Sequence, residues 1–121
     1  MNRKGLLIVD HGSTKEEANK SLEDIEKLVQ QLIPTIVVKH AHMELADPTI
    51  KDGIDALVAE NVTEIHVFPY MLAPGRHATK DIPNIISNLK TTYPTCTFTV
   101  TSPLGVHQKL AEIIIERSFG S

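Results

Sequence analysis

The sequence contains no tryptophan, two tyrosines, three phenylalanines and a single cysteine among 121 residues. One thiol cannot close an internal disulfide, so a stapled secreted scaffold is excluded, and Cys96 is read as a small buried hydrophobe in a strand-like run. Twelve Lys and Arg stand against fifteen Asp and Glu, a formal net charge of -3, and no basic stripe stands out. A nucleic-acid partner is therefore not expected. No apolar run is long enough to span a bilayer, and the one after Arg3 and Lys4 is too short for a signal peptide. The expectation is a cytoplasmic protein with no membrane partner. Neither G-x-G-x-x-G nor G-x-x-x-x-G-K occurs, which leaves nucleotide binding poorly supported. Apolar residues make up 41% and charged residues 22%. At this length residues 1–121 form one domain, able to bury roughly two thirds of its unfolded surface without a staple.

What is present is organised around Gly5 to Ser13. Leu6 to Val9 is a continuous apolar stretch of strand length, the pattern of a parallel strand covered on both faces. It stops at His11 and Gly12, and Ser13 with Glu16 makes an S-x-x-E capping box that predicts a helix start. The helix runs to about Ile33, with Ala18, Leu22, Ile25, Val29 and Leu32 as its apolar stripe. Thr35 to Met43 reads as a second strand. Asp47-Pro48 reads as the N-cap and first turn of a second helix carrying Ile50, Ile54, Leu57 and Val58, with Asn61 as a left-handed stop. Thr63 to Tyr70 contains a third strand, and Met71 to Lys80, holding Pro74 and Gly75, reads as a loop. Asp81 and Pro83 open a third helix. Thr95 to Thr101 alternates strictly, as a half-exposed edge strand does. Pro103-Leu104-Gly105 turns the chain into a last helix bearing Leu110, Ile113 and Ile114.

The order βαβαβαβα predicts a three-layer α/β fold with a four-stranded parallel sheet, strand order 2-1-3-4. Strands 1 and 3 are then neighbours whose helices leave on opposite faces, which opens a crevice at their carboxyl ends. His11, Glu44 and His77 follow the first, second and third strands. Two imidazoles and a carboxylate suit a borderline divalent cation such as Co²⁺, Ni²⁺, Fe²⁺ or Zn²⁺, and three protein ligands leave coordination positions open. Spacing alone is weak support, because no compact motif links the three. His40 and His42 share one strand face and are read as partly buried strand histidines, with metal ligation as the alternative. His66 is read as packed or paired, and His107 as a solvated or capping residue. Gly12-Ser13 at a helix N-terminus offers free N–H groups to an anion, a phosphate or a carboxylate.

Four segments in order carry a resemblance: Asp10-His-Gly-Ser13 with Ala18-Asn19, Met43-Glu-Leu-Ala-Asp-Pro48, Val67 to His77 followed by Asp81-Ile-Pro83, and Pro103-Leu-Gly-Val-His107. Over nearly its whole length the chain resembles the short-form class II sirohydrochlorin chelatases of the CbiX type. The resemblance implies a chelatase-like, flavodoxin-like half fold and insertion of Co²⁺, Ni²⁺ or Fe²⁺ into a sirohydrochlorin-type tetrapyrrole, with the metal as substrate and no permanently bound cofactor. It implies His11, Glu44 and His77 as metal ligands, and His11 or His77 as acceptor of pyrrole protons. Short-form relatives pair two subunits, which implies a homodimer. On this reading Gly12, Ser13, Gly75 and Arg76 contact the macrocycle, and Leu72, Ala73 and Pro74 line an apolar wall. Two other readings stay open: a non-catalytic metal or tetrapyrrole carrier using the same pocket, and a flavodoxin-like phosphate-binding module.

Overall fold

The structure, a computed structural model, describes residues 3–120. The first apolar run becomes β1 (Lys4–Asp10), in which Leu7, Ile8 and Val9 are buried on both faces of the sheet. It pairs in parallel with β2 (Val37–His42) on one side and β3 (Glu64–Pro69) on the other, and β4 (Thr97–Val100) pairs with β3. The order is β2-β1-β3-β4, as the sequence predicts. β4 is one of the two edge strands, with β2 at the other end, and its strict exposed and half-buried alternation follows from having one covered face.

Two apolar layers flank this sheet. α1 (Glu16–Leu32) packs Leu22, Ile25 and Val29 against Ile8, Val38 and Phe68. On the other face, α2 (Ile50–Ala59) and α3 (Ile82–Leu89) bury Ile50, Ile54, Leu57, Ile82 and Ile86 against Leu7, Val9, Ala41, Ile65 and Val67. Cys96 is half-buried against that second layer, and its thiol reaches the Val62 carbonyl. α4 (Gln108–Phe119) is different: none of its residues is buried. Ile113, Ile114 and Ile115 are consecutive, so at 100° per residue they cannot all face the sheet, and all three are exposed. Among the described residues, no helix is long and apolar enough to cross a membrane.

Several local expectations need correction. The Ser13–Glu16 capping box does not form: α1 begins at Glu16 behind Lys15, and the Ser13 hydroxyl accepts from the Lys15 N–H instead. Asp47-Pro48 is not the start of α2 but a cis peptide ahead of it. Thr49 caps the helix, accepting from the Asp52 N–H while the Asp52 carboxylate accepts from the Thr49 N–H, a reciprocal box. Asn61 does adopt the left-handed stop, with φ 65°. The stretch read as a loop up to Lys80 winds early, as a π-helical turn over His77–Asp81 that runs directly into α3, so Asp81 is no N-cap. Leu32 lies beyond the covered face and is exposed.

One polar cluster ties α2 to the turn before β4. The Tyr93 hydroxyl donates to Asp55, and Lys51 donates to the same carboxylate at 3.0 Å. The Tyr93 hydroxyl first, and Lys51 second, hold the Asp55 carboxyl below the usual carboxylate range, while burial pushes the phenol up. A carboxyl lowered by folding stabilises above its unfolded value and ceases to do so as pH falls through the folded one. Tyr93→Phe is expected to lower stability at pH 7 by about 1 kcal/mol, discounted for exposure. The deficit should shrink in thermal melts below about pH 4. A pH-independent deficit would place the contribution in ring packing instead.

Candidate metal centre at the strand ends

Gly12 sets the geometry. Its φ is +96°, a region that disfavours side chains, and a Cβ there would overlap the Glu44 carbonyl oxygen. This close approach lets the segment after β1 run beside the segment after β2: Met43 N–H donates to Asp10 O at 2.9 Å and Glu44 N–H to His11 O at 3.1 Å. The two side chains so aligned meet, and His11 Nε2 donates to Glu44 Oε1 at 2.6 Å.

His77 reaches the same place from the third strand's connection. The π-helical turn lifts it toward β1, and its ring lies against that of His11 with centroids 4.5 Å apart and planes inclined by 38°. His77 Nδ1 donates to Asp81 Oδ2 at 2.8 Å, one helical step along. A carboxylate on one imidazole nitrogen fixes the ring and directs the other nitrogen outward, the arrangement that orients metal-binding histidines. Glu44 and Asp81 line one cavity of about 360 Å³ with Met43, Asn84 and Ile85. His11, Glu44 and His77 each remain about half exposed, so the centre is open to solvent and to a large flat ligand. Among the described residues, no three His, Cys, Asp or Glu side chains form a ready cage, and at the strand ends His11 Nε2 and Glu44 Oε1 hold one another.

The remaining sequence candidates divide. Leu72, Ala73, Pro74, Gly75 and Arg76 form an exposed rim beside His77. Two backbone bonds from the β4–α4 connection brace it, Leu104 N–H to Met71 O at 3.0 Å and Gly105 N–H to Leu72 O at 2.7 Å. Pro74 also lines a largely apolar cavity of about 530 Å³ with Ala78, Pro83, Val100 and Pro103. The Ser13 backbone N–H is not available to an anion: it is held by Asn19 Oδ1 at 3.0 Å, and Asn19 donates back to Ser13 O at 2.8 Å. Glu16 and Glu17 in the first turn of α1 further disfavour an anion there. Sequence reasoning missed Asp81 and Asn19 as positioning residues; the i, i+4 spacing of His77 and Asp81 is the signal that was available, once that stretch is seen as helical.

His66 is paired, with Glu64 at 2.8 Å, and His107 caps α4 by accepting from the Lys109 N–H. His40 and His42 do lie on one strand face, half-buried and buried respectively.

Fold and site together define a class: a parallel α/β sheet with an imidazole pair and a carboxylate at its topological switch point. The CbiX family model matches residues 5–120, and the chain belongs to that family. It is 36% identical over 113 residues to the chloroplastic sirohydrochlorin ferrochelatase of Arabidopsis thaliana, covering 93% of this chain and 50% of that relative. Over 123 residues it is 30% identical to the sirohydrochlorin cobaltochelatase of Methanosarcina acetivorans, covering 93% and 92%. The solved structure of the sirohydrochlorin chelatase SirB from Bacillus subtilis subspecies spizizenii, in complex with cobalt, superposes with a TM-score of 0.89 at 27% identity, over 96% of this chain and 50% of that one. The chain thus spans about half the length of the Arabidopsis enzyme and of SirB, and most of the Methanosarcina relative.

Proposed function

We propose that this protein inserts a divalent metal into sirohydrochlorin, with Co²⁺ as the favoured substrate metal and Ni²⁺ or Fe²⁺ as alternatives, in tetrapyrrole biosynthesis. The observation that carries the reading is the 4.5 Å approach of the His11 and His77 rings beside Glu44. An ion bound through a ring nitrogen lies about 3 Å from the imidazole centroid, so two rings on one ion have centroids about 4.5–5.5 Å apart. The relatives' names supply the tetrapyrrole and the metals.

On this reading the macrocycle lies over the open centre, against the rim of Leu72, Ala73 and Pro74, with Arg76 facing its acidic side chains and Gly12 giving the flat approach. His11, Glu44 and His77 present the metal to the pyrrole nitrogens. A cation that takes both His11 Nε2 and Glu44 Oε1 displaces the proton they share. Entry of one dication into the ring releases two pyrrole protons, and His11 and His77 are the bases within reach. Asp81 is a positioning residue that holds His77 in its productive tautomer. No permanent cofactor is invoked.

The same reading places the protein in the cytoplasm and pairs it as a homodimer. The exposed apolar residues Ile113, Ile114, Ile115 and Phe119 of α4 support that pairing, since a second copy would cover them. Sedimentation should show a dimer for the wild-type chain and a monomer for Ile114→Glu.

The function is tested by the visible absorption of sirohydrochlorin mixed anaerobically with Co²⁺, Ni²⁺ or Fe²⁺, with and without sub-stoichiometric protein. Accelerated conversion through several turnovers is expected. Pigment binding without acceleration would make the protein a carrier, and a response to flavin or nucleotide with none to cobalt would make it a phosphate-binding module.

A further inference from the structure

A second group of imidazoles lies on the other face of the sheet end, beneath α1. His40 and His42 project from alternate positions of β2, edge to face, with ring centroids 5.6 Å apart. Each has Nδ1 against a carboxylate: His40 on Glu26 Oε1 at 2.8 Å, His42 on Asp10 Oδ1 at 2.7 Å. A carboxylate only accepts, so Nδ1 donates in both rings, and in the neutral imidazole the lone pair is then on Nε2. Both rings line one cavity of about 310 Å³ with Glu16, Lys20 and Glu23 of α1 and with Asp47. His42 is only 1% exposed, its Nδ1 is held by Asp10, and its ring lines this cavity with Nε2 unpaired among the described residues.

We propose that this cavity is a second divalent-cation site, separate from the strand-end centre, with His40 and His42 as its fixed ligands. Three observations converge. The centroid separation is close to that expected for two imidazoles on one tetrahedral ion, about 5 Å. Both rings already have the carboxylate partner that orients a ligating histidine. The cavity carries three carboxylates against one ammonium, that of Lys20, whose close partner is Asp24 at 2.7 Å outside the lining, with Glu23 at 3.9 Å. Glu16, Glu23 and Asp47 stand on rotatable stems and complete the shell together with water. Imidazole with carboxylate selects borderline ions, Co²⁺, Ni²⁺ or Zn²⁺, over Mg²⁺ or Ca²⁺. The site does not depend on the chelatase reading, because it uses neither His11, Glu44 nor His77.

The test removes the strand-end histidines first. The full chain carrying His11→Ala and His77→Ala is titrated with Co²⁺ alone, followed by visible d–d absorption. One Co²⁺ per chain with a tetrahedral spectrum is expected, and adding His40→Gln, which removes a ligand itself, should weaken it by more than the about 10- to 100-fold that loss of an orienting partner costs. Should that triple variant misfold, the ring protons of His40 and His42 in the double variant report directly: Co²⁺ should broaden both while His66 and His107 stay sharp. Absence of a bound ion in the double variant, an unchanged titration with His40→Gln, or rings of His40 and His42 indifferent to Co²⁺ would overturn the proposal. No tetrapyrrole enters the measurement, so its failure and failure of the chelatase reading are separate results.

Discussion

His77→Ala should abolish metal-stimulated conversion of sirohydrochlorin while leaving the melting temperature within a few degrees of wild type. The side chain is about two fifths exposed and its ring touches only His11 and Asp81 among the contacts described, so its removal opens no core cavity. Its proposed work is chemical on two counts, as a metal ligand and as a proton acceptor beside the macrocycle. Loss of a positioned base alone is worth about 10²–10⁴ in rate. Asp81→Asn provides the graded control. It keeps the volume and removes the charge that fixes His77 Nδ1–H, leaving an amide that accepts more weakly through Oδ1 or, flipped, offers a donor instead, so a loss of about 10- to 100-fold is expected, with metal affinity falling alongside. If His77→Ala turned over at the wild-type rate, the strand-end centre would not be where insertion occurs.

The architecture was legible because each element announces itself over a few residues. Leu6 to Val9 has the length and continuity of a doubly covered strand, Thr97 to Val100 alternates as an edge does, and the alternation of strands with amphipathic helices leaves few topologies. The meeting of His11, Glu44 and His77 was legible for a related reason. All three follow strands, and a parallel sheet gathers its strand ends at one edge whatever the separation in sequence. What was not legible is what depends on partners distant in sequence or on exact winding. Whether Ser13 caps α1 is decided by Asn19, which folds back to take the Ser13 N–H. The role of Asp81 depends on the chain winding into a π-helical turn between Arg76 and Ile82, a stretch whose Pro74 and Gly75 read locally as loop. Asp10, immediately before His11, turns instead to the buried ring of His42, and strand alternation explains it: Asp10 lies on the face of Ile8 and Leu6, under α1, while His11 has left the strand.

Gly12→Ala should be the most damaging single substitution of one methyl group. Two costs coincide. At φ +96° an alanine is strained, by about 1–3 kcal/mol. The added Cβ would also occupy the space of the Glu44 carbonyl oxygen and press on the Cβ of His42 at 3.2 Å, so the chain must separate where Glu44 N–H meets His11 O. That backbone bond is what brings the His11 and Glu44 side chains within 2.6 Å of one another. A total loss of about 3 kcal/mol or more is expected, lowering the melting temperature by about 10 °C. Activity should fall further than stability explains. At a temperature where the variant is still folded, metal binding at the strand ends should be lost with turnover, because the carboxylate is carried away from the imidazole pair. The added Cβ also presses on His42, so Co²⁺ binding beneath α1 should weaken as well, but less, because His42 keeps its Asp10 partner within the sheet register while the Glu44 backbone must move outright. Equal loss at both sites, at a temperature where the variant is still folded, would mean that Gly12 secures the whole carboxyl edge of the sheet rather than one centre.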